Sequence, residues 1–182
     1  MANPFREMNC FVLAGGQRQQ RRHFQPEGDL TRLERSYRRY ATIFEKVSIV
    51  IKEAQAKEKY LNYPHVCDDT AEYDIAHGVE AALKNADSDA VFIGSCDITD
   101  FPLQLPVELV KQYKGEKFLG YYDASADAET HQPLFGIYSK ELAPKIEAML
   151  KKGDSDLAAL MAKEGTLLPL PDDVPAASIN LR

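Results

Sequence analysis

Long hydrophobic runs are missing from this sequence. No apolar stretch among its 182 residues approaches the roughly 18 consecutive residues that a membrane-spanning helix needs. Near the N-terminus only residues 10–14 form an apolar run, which is too short for the hydrophobic region of a secretory signal. The sequence therefore predicts no membrane partner and no leader peptide, and we expect a cytoplasmic protein.

Cysteine and histidine are scarce. The three cysteines (Cys10, Cys67 and Cys96) are an odd number without CxxC spacing, which argues against a disulfide scaffold and a zinc knuckle and favours free thiols. The four histidines show no metal-ligand spacing. No Ser-His-Asp or Cys-His arrangement can be recognised, so nucleophilic catalysis of those types is not predicted.

Net positive charge is also absent. The net charge of −6 argues against a general nucleic-acid-binding protein. Residues 17–40 nevertheless contain seven arginines and three acidic residues, so this segment carries +4 and the remainder −10. A local basic patch in an acidic protein favours a single anionic ligand over a polyanion. For residues 32–39 the alternative is a solvated arginine-rich helix face.

Apolar patterning predicts alternating strands and helices. Strands are expected at residues 10–14, 47–51, 65–67, 90–95, 118–122, 134–138 and 166–170. Helices are expected at about residues 30–45, 53–61, 74–86, 106–113, 139–152 and 154–163. With 45% apolar and 27% charged residues, the composition is that of a soluble globular chain. We predict one domain spanning 1–182, a three-layer α/β/α Rossmann-like fold with a mostly parallel sheet. The Pro/Asp-rich residues 169–175 are expected to be its loosest segment.

Ligands of such sheets bind where the strands end, and this rule selects first the turn after residues 10–14. Gly15 and Gly16 allow a tight turn whose backbone N–H groups can bind phosphate. The pattern is neither GxGxxG nor a P-loop, so the alternative is a simple turn. Arg18, Arg21 and Arg22 follow directly and would supply the positive charge that a phosphate needs.

The second selected turn follows residues 90–95. Asp97 ends this strand, and a carboxylate there can hold Mg²⁺ beside a phosphate loop; the alternative is a loop-capping aspartate. Asp68 and Asp69 follow the short strand at 65–67 and can reach the same edge, unless they form a solvated acidic loop. Asp100 is interpreted as a turn residue. Together these features predict Mg²⁺-dependent transfer of a nucleotidyl or phosphoryl group.

Several segments resemble one known family. Residues 11–17, FVLAGGQ, are similar to the VLAGG opening of the MobA-like nucleotidyltransferases, and within that group to the molybdenum cofactor guanylyltransferases. Cys96-Asp97 with Phe101-Pro102 resembles the metal-binding CDxP segment of the family. Residues 133–138 and 153–155 resemble its HPLxxxY and GDRS stretches, so the resemblance covers about residues 10–180.

This resemblance implies a reaction and a set of roles. GTP and molybdopterin would be the substrates: the terminal phosphate of molybdopterin attacks the α-phosphorus of GTP, and pyrophosphate leaves. Transient contact with molybdoenzyme maturation proteins is also implied. Asp97 would hold Mg²⁺ and Asp68 would lie near the guanosine. The other nucleotide-binding positions would be Leu13, Ala14, Gly15, Gly16, Arg18 and Gly78.

The sequence departs from the family pattern in three places. Residues 17–25 lack the lysine that contacts the triphosphate in the family, so Arg21 and Arg22 are the candidates for this catalytic charge. Residues 75–78 replace GPLxG and keep only Gly78. The closing NxNTP is reduced to residues 178–180, where Asn180 is the candidate acceptor contact. Three alternatives stay open: a cytidylyltransferase, a guanylyltransferase of cobamide synthesis, and a non-catalytic nucleotide- or cofactor-binding accessory protein.

Overall fold

A mixed, seven-stranded sheet forms the centre of the molecule. The computed structural model describes residues 3–14, 24, 26–52, 62–68, 70, 72–125 and 131–181. In this part of the chain the strands are β1 (Asn9–Leu13), β2 (Pro26–Glu27), β3 (Leu30–Thr31), β4 (Lys46–Lys52), β5 (His65–Asp68), β6 (Ala90–Ser95), β7 (Phe118–Tyr122), β8 (His131–Ser139) and β9 (Thr166–Pro169). The α-helices are α1 (Pro4–Glu7), α2 (Arg32–Ala41), α3 (Ile75–Lys84), α4 (Gln104–Gln112), α5 (Ala143–Leu150) and α6 (Leu157–Glu164), with short 3₁₀ turns at Lys140–Leu142 and Ala176–Ile179.

The strand order brings the carboxyl ends of four strands to one edge. The order is β5-β4-β1-β6-β8-β7-β9, and the first four strands are mutually parallel. β8 runs antiparallel to both β6 and β7, whereas β9 is parallel to β7. Leu13 at the end of β1 is in register with Val50 and Ser95, and Lys52 is in register with Asp68. The predicted mostly parallel sheet is confirmed, with β8 as the exception.

Helices cover both faces of the sheet, because the side chains of each strand alternate between them. Cys10 and Val12 of β1 pack on one face, in a core cluster that includes buried residues of α2 and α4. Phe11 and Leu13 pack on the other face with buried residues of α3, α5 and α6. Two cores on either side of one sheet confirm the predicted three-layer architecture.

α2 begins later and ends earlier than its apolar pattern predicts. Leu30 and Thr31 pair with residues 26–27 in a small antiparallel hairpin. Thr31 then starts the helix through a capping box, in which its hydroxyl accepts from the Glu34 N–H at 3.2 Å and its own N–H donates to the Glu34 carboxylate at 2.7 Å. Leu33 and Tyr40 are the buried apolar residues of the helix, and Phe44, which the pattern had included in it, is buried beyond its end.

Two further expectations were wrong in detail. Residues 139–152 do not form one helix: a 3₁₀ turn precedes α5, whose second residue is Pro144. Proline has no N–H to donate and is accommodated in the first turn of a helix, which explains why α5 starts there. Residues 169–175 are not a loose segment, because Leu170 and Val174 are buried in the core. The helix expected at 53–61 lies outside the described residues.

Candidate nucleotide-binding site

A cavity of about 100 Å³ lies at the edge where β1, β4, β5 and β6 end. We call it the strand-end cavity. It is lined by Leu13, Ala14, Val50, Ile51, Lys52, Asp68, Tyr73, Asp74, Ile75, Gly78, Ser95, Asp97 and Leu134. Its position agrees with the rule that α/β sheets bind ligands outside the carboxyl ends of their strands.

The structure brings together five residues that were predicted to form the site. Leu13, Ala14, Asp68, Gly78 and Asp97 all line the strand-end cavity, although they come from distant parts of the sequence. Leu13, Asp68 and Gly78 lie in β1, β5 and α3, whereas Ala14 and Asp97 lie in the turns after β1 and β6, so only the tertiary structure places them around one space.

The other predicted site residues are placed differently. Asn180 is not among the residues that line the strand-end cavity; its backbone carbonyl accepts a hydrogen bond from Gln132 Nε2 at 3.2 Å. The roles predicted for Gly15, Gly16, Arg18, Arg21 and Arg22 fall outside the described residues.

Gly78 allows α3 to pack closely against β1. A Cβ atom at this position would lie 2.9 Å from Leu13 Cδ2, closer than ordinary van der Waals contact. Asp74 caps the same helix, and its carboxylate accepts from the His77 N–H at 3.1 Å. The close packing and the cap place the first turn of α3 at the wall of the cavity.

A buried ion pair joins β4 to the segment that follows β5. Lys52 Nζ lies 2.7 Å from Asp68 Oδ2, and each residue is only 6% exposed. The same ammonium donates to the carbonyl of Thr70 at 3.0 Å and to the carbonyl of Glu72. Asp68 Oδ1 in turn accepts from the backbone N–H and the hydroxyl of Thr70, at 3.1 and 2.7 Å. Hydrogen bonds at this density compensate the desolvation of the two charges.

Asp97 is more accessible than Asp68. Its side chain is 21% exposed, and its Oδ1 lies 3.7 Å from an Arg32 guanidinium nitrogen, beyond hydrogen-bond distance. The backbone N–H of Asp97 donates to Ser95 Oγ at 3.1 Å, which fixes the turn at the end of β6. An accessible carboxylate at a strand end is able to accept a ligand or a metal ion.

α2 supports this turn from one side. Ser36 Oγ donates to the carbonyl of Ser95 at 3.1 Å, and Arg39 donates through its Nε to the carbonyl of Phe101 at 2.9 Å. The predicted alternatives for residues 32–39 were an anion site and a solvated face. The structure shows a third use at Arg39, whose guanidinium anchors the loop after β6.

The side chains at this edge of the sheet suit a divalent ion that takes most of its ligands from phosphate oxygens and water. Among the described residues no group of three His, Cys, Asp or Glu side chains could enclose a metal. Mg²⁺ typically binds through one or two carboxylates and completes its octahedron with phosphate oxygens and water. The partly exposed carboxylate of Asp97, at the end of β6, fits that mode of binding.

The cysteine nearest the site is not a nucleophile. Burial raises the pKa of the Cys96 thiol, and the adjacent Asp97 carboxylate raises it further. Burial raises the pKa of Cys10 in the same way. Both groups are therefore neutral thiols at physiological pH and poor nucleophiles.

Sequence reasoning missed Lys52 and Tyr73. Lys52 carried a usable signal, because it is a charged residue that directly follows the apolar run VSIVI of a predicted strand. The rule that selected Asp97 applies equally to this strand end. Tyr73 carried no such signal, since its place on the cavity wall depends on the course of the chain after β5. Arg32 belongs to the basic segment that was predicted to favour an anionic ligand, and the structure places it 3.7 Å from Asp97.

Comparison with known proteins decides the family. Residues 10–167 match the model of the MobA-like NTP transferase domain. The chain belongs to this family. The match includes every described residue that lines the strand-end cavity.

Individual relatives agree with the MobA-like assignment. A protein of Aquifex aeolicus named probable molybdenum cofactor guanylyltransferase is 29% identical over 177 residues, which is 94% of this chain and 84% of the relative. A molybdenum cofactor guanylyltransferase of Vibrio atlanticus is 30% identical over 74% of this chain and 69% of its own.

Solved structures show the same architecture. A putative protein of Aquifex aeolicus superposes with a TM-score of 0.74 and 26% identity over 96% of this chain and 92% of its own. Molybdopterin-guanine dinucleotide biosynthesis protein A of Archaeoglobus fulgidus gives a TM-score of 0.71 at 16% identity, over 89% of this chain and 83% of its own. At that identity the second likeness shows the fold alone.

Proposed function

We propose that the chain is a molybdenum cofactor guanylyltransferase, which transfers GMP from GTP to the terminal phosphate of molybdopterin. The observation that carries this proposal is the strand-end cavity of a MobA-like chain, bounded by Leu13 and Ala14 on β1 and by Asp97 after β6. The names of the relatives that align over most of this chain support the choice of nucleotide and acceptor.

The reaction needs in-line geometry more than acid–base chemistry. A phosphate oxygen of molybdopterin attacks the α-phosphorus of GTP, the new P–O bond forms, and the bond to pyrophosphate breaks. Positioning of the two substrates and neutralisation of the phosphoryl oxygens account for most of the catalysis of such transfers.

Asp97 is the residue that would hold Mg²⁺, and Arg32 is the nearest described cation. When bound, the ion would neutralise charge on the phosphate oxygens. Arg32 lies 3.7 Å from Asp97, so its guanidinium is close enough to the same region to interact with a phosphate. The predicted contributions of Arg18, Arg21 and Arg22 stay part of the proposal.

The cavity is smaller than a whole nucleotide. At about 100 Å³ it lies below the roughly 300–1,000 Å³ of complete ligand clefts, so it would hold only part of GTP. We assign that part to the base and ribose, with the phosphates outside it on the Asp97 side.

The proposal extends to organisation and location. We propose one domain, since the family match spans residues 10–167. No helix in the described ranges is long and apolar enough to cross a bilayer. We place the reaction in the cytoplasm, where the free thiols of Cys10, Cys67 and Cys96 stay reduced. Transient contact with molybdoenzyme maturation proteins is also proposed.

Calorimetric titration with GTP, CTP and ATP, each with and without Mg²⁺, tests the nucleotide. Selective, Mg²⁺-dependent binding of GTP supports the proposal and leads to a transfer assay in which pyrophosphate release is measured with molybdopterin as acceptor. Selective binding of CTP would replace it with the cytidylyltransferase alternative. Absence of binding to any triphosphate would favour a non-catalytic relative.

A further inference from the structure

The segment that follows β5 is an unusual wall for a ligand site. Three large apolar side chains are exposed among the described residues, and two of them, Tyr73 and Ile75, lie two positions apart in sequence on the wall of the strand-end cavity. Exposed apolar side chains that converge on a cavity mark a surface kept for a ligand. The third, Leu103, does not line this cavity.

Lys52 fixes this wall from the inside. Its ammonium binds Asp68 and the carbonyls of Thr70 and Glu72, so three points of the segment converge on one buried atom. The three hydrogens of an ammonium are satisfied by these partners, and Lys52 therefore acts on the chain around it instead of donating to a ligand.

The same ammonium lies over Tyr73. Lys52 Nζ is 5.1 Å from the centroid of the Tyr73 ring, within the range of a cation–π contact. One face of the ring is thereby held, yet the residue remains 38% exposed beside the cavity. An aromatic ring that is fixed on one face and accessible on the rest is suited to stacking.

Charge at this end of the cavity selects an uncharged group. Among the described residues that line this wall, Asp68 and Asp74 are acidic and Lys52 is basic, and Lys52 is paired with Asp68. The charge of these described residues sums to a negative value, which disfavours a phosphate, whereas Leu13 and Tyr73 offer apolar surface. A nucleobase is the part of a nucleotide that fits.

We propose that Lys52 is a positioning residue that holds Tyr73 at the cavity wall, where the phenol ring stacks on the nucleobase of the bound nucleotide. This inference rests on the proposed function, since it names the residues that recognise the base at the same site. It assigns base binding to a Tyr73-containing wall in a chain that lacks the GPLxG segment of its family.

Binding of whole and partial ligands by the full-length protein tests the inference. The probes are GTP and GMP, which carry the base, and inorganic tripolyphosphate, which does not, all with Mg²⁺. Since base–aromatic stacking contributes about 1–3 kcal/mol, we expect Tyr73→Ala to weaken GTP and GMP binding roughly tenfold and to leave tripolyphosphate binding unchanged. Tyr73→Phe keeps the ring and should bind as wild type does. Leu103→Ala is the matched control, because Leu103 is 40% exposed and lies elsewhere.

A fluorescent variant reports the stacking directly. The chain contains no tryptophan, so Tyr73→Trp introduces a single tryptophan at the proposed stacking position, and its emission can be excited apart from that of the tyrosines. GTP should quench its emission and tripolyphosphate should not. Adding Lys52→Met to this variant should remove the quenching by GTP and leave tripolyphosphate affinity unchanged. If that double variant does not fold, the comparison of Tyr73→Ala with Tyr73→Phe still decides the role of the ring.

The outcomes separate this inference from the proposed function. If wild type binds no nucleoside triphosphate, the proposed function fails and the inference fails with it. If wild type binds GTP while Tyr73→Ala binds GTP equally well, the inference alone is wrong. Unchanged GTP binding with weaker molybdopterin binding in Tyr73→Ala would assign the ring to the pterin and would also overturn the inference.

Discussion

Asp68 and Asp97 both line the strand-end cavity, and the structure surrounds them very differently. Asp68 is 6% exposed, and both of its carboxylate oxygens take part in a network of Lys52 and Thr70. Asp97 has a 21% exposed side chain whose carboxylate lies 3.7 Å from Arg32. A carboxylate whose lone pairs are engaged by buried donors organises the chain, whereas an accessible one is available to a ligand.

This difference revises the roles that the resemblance implied for the two aspartates. Both were expected to approach the nucleotide directly. The position of Asp97 suits that role, whereas the contacts of Asp68 with Lys52 and Thr70 give it a structural role as well, and its approach to the nucleotide stays a prediction. The following predictions test the contrast, from the largest expected effect to the smallest.

Replacement of Asp97 should separate activity from stability. We expect Asp97→Ala to reduce GMP transfer by roughly 10²–10³-fold or more, the range for loss of a group that stabilises developing charge. The free energy of unfolding should change by no more than about 0.5 kcal/mol, because the side chain is partly exposed. Pyrophosphate release and urea denaturation measure the two effects. Asp100→Asn is the matched control, and equal activity of Asp97→Ala and this control would remove Asp97 from the site.

Replacement of Lys52, in contrast to that of Asp97, should strongly lower the stability of the fold. Lys52→Met leaves the Asp68 carboxylate buried without its cation, so we expect the free energy of unfolding to fall by about 3–5 kcal/mol. Urea denaturation measures the loss. Adding Asp68→Asn removes the uncompensated charge and should restore part of the stability. A loss below 1 kcal/mol in Lys52→Met would contradict the structural role assigned to the pair.

Replacement of Arg32 should have a small effect on stability. Its contact with Asp97 is long and partly exposed, so Arg32→Ala should change the free energy of unfolding by about 0–1 kcal/mol. The affinity for tripolyphosphate should fall more clearly than the stability, and calorimetry alongside urea denaturation compares them. If Arg32→Ala lowered the free energy of unfolding as much as Lys52→Met does, the Arg32–Asp97 pair would be as important for stability as the Lys52–Asp68 pair, and the contrast between the two aspartates would be wrong.

Glu164, Lys117 and Lys145 form an ion-pair cluster whose described members do not line the strand-end cavity. We expect the stability that this cluster contributes to depend on pH. Hydrogen bonds from Lys117, at 2.8 Å, and from Lys145 lower the pKa of Glu164 to about 2. Because an unfolded glutamate titrates near pH ~4.3, the unfolded state binds the extra proton between these values. The stability from Glu164 is therefore complete above pH ~4.3 and is lost as the pH falls towards 2.

Glu164→Gln should show the pH range over which the charge of Glu164 contributes to stability. The difference in urea midpoint between wild type and Glu164→Gln should be constant between pH 5 and 7 and should shrink below pH ~4.3. A difference that does not depend on pH would show that the Lys117 and Lys145 contacts contribute nothing through the charge of Glu164.

Much of the fold was predictable because its elements carry local signals. β6 was expected at residues 90–95 and β7 at 118–122, and both are found at those residues. Apolar runs bounded by turn residues identify buried strands well. The misplaced start of α2 has a local cause as well, since Thr31 both ends the hairpin and caps the helix.

The site was predictable only in part. Leu13 and Asp97 were found because each follows a recognisable strand and belongs to a motif that resembles the family. Lys52 was overlooked, although it ends β4 beside β1. The role of Tyr73 could not be predicted from the sequence. Its position depends on hydrogen bonds from Lys52, on another strand, to the carbonyls of Thr70 and Glu72, and the local sequence gives no sign of them.

The sequence by itself determined the order of strands and helices, the family motifs and the presence of a carboxylate, Asp97, in the turn after β6. Hydrophobic periodicity and turn residues act within a few positions of the chain, so these features can be recognised locally. Only the tertiary structure decided that Asp68 is bound by Lys52 while Asp97 stays accessible. That outcome depends on register between β4 and β5 and on the packing of α2 against β6, which join residues far apart in sequence.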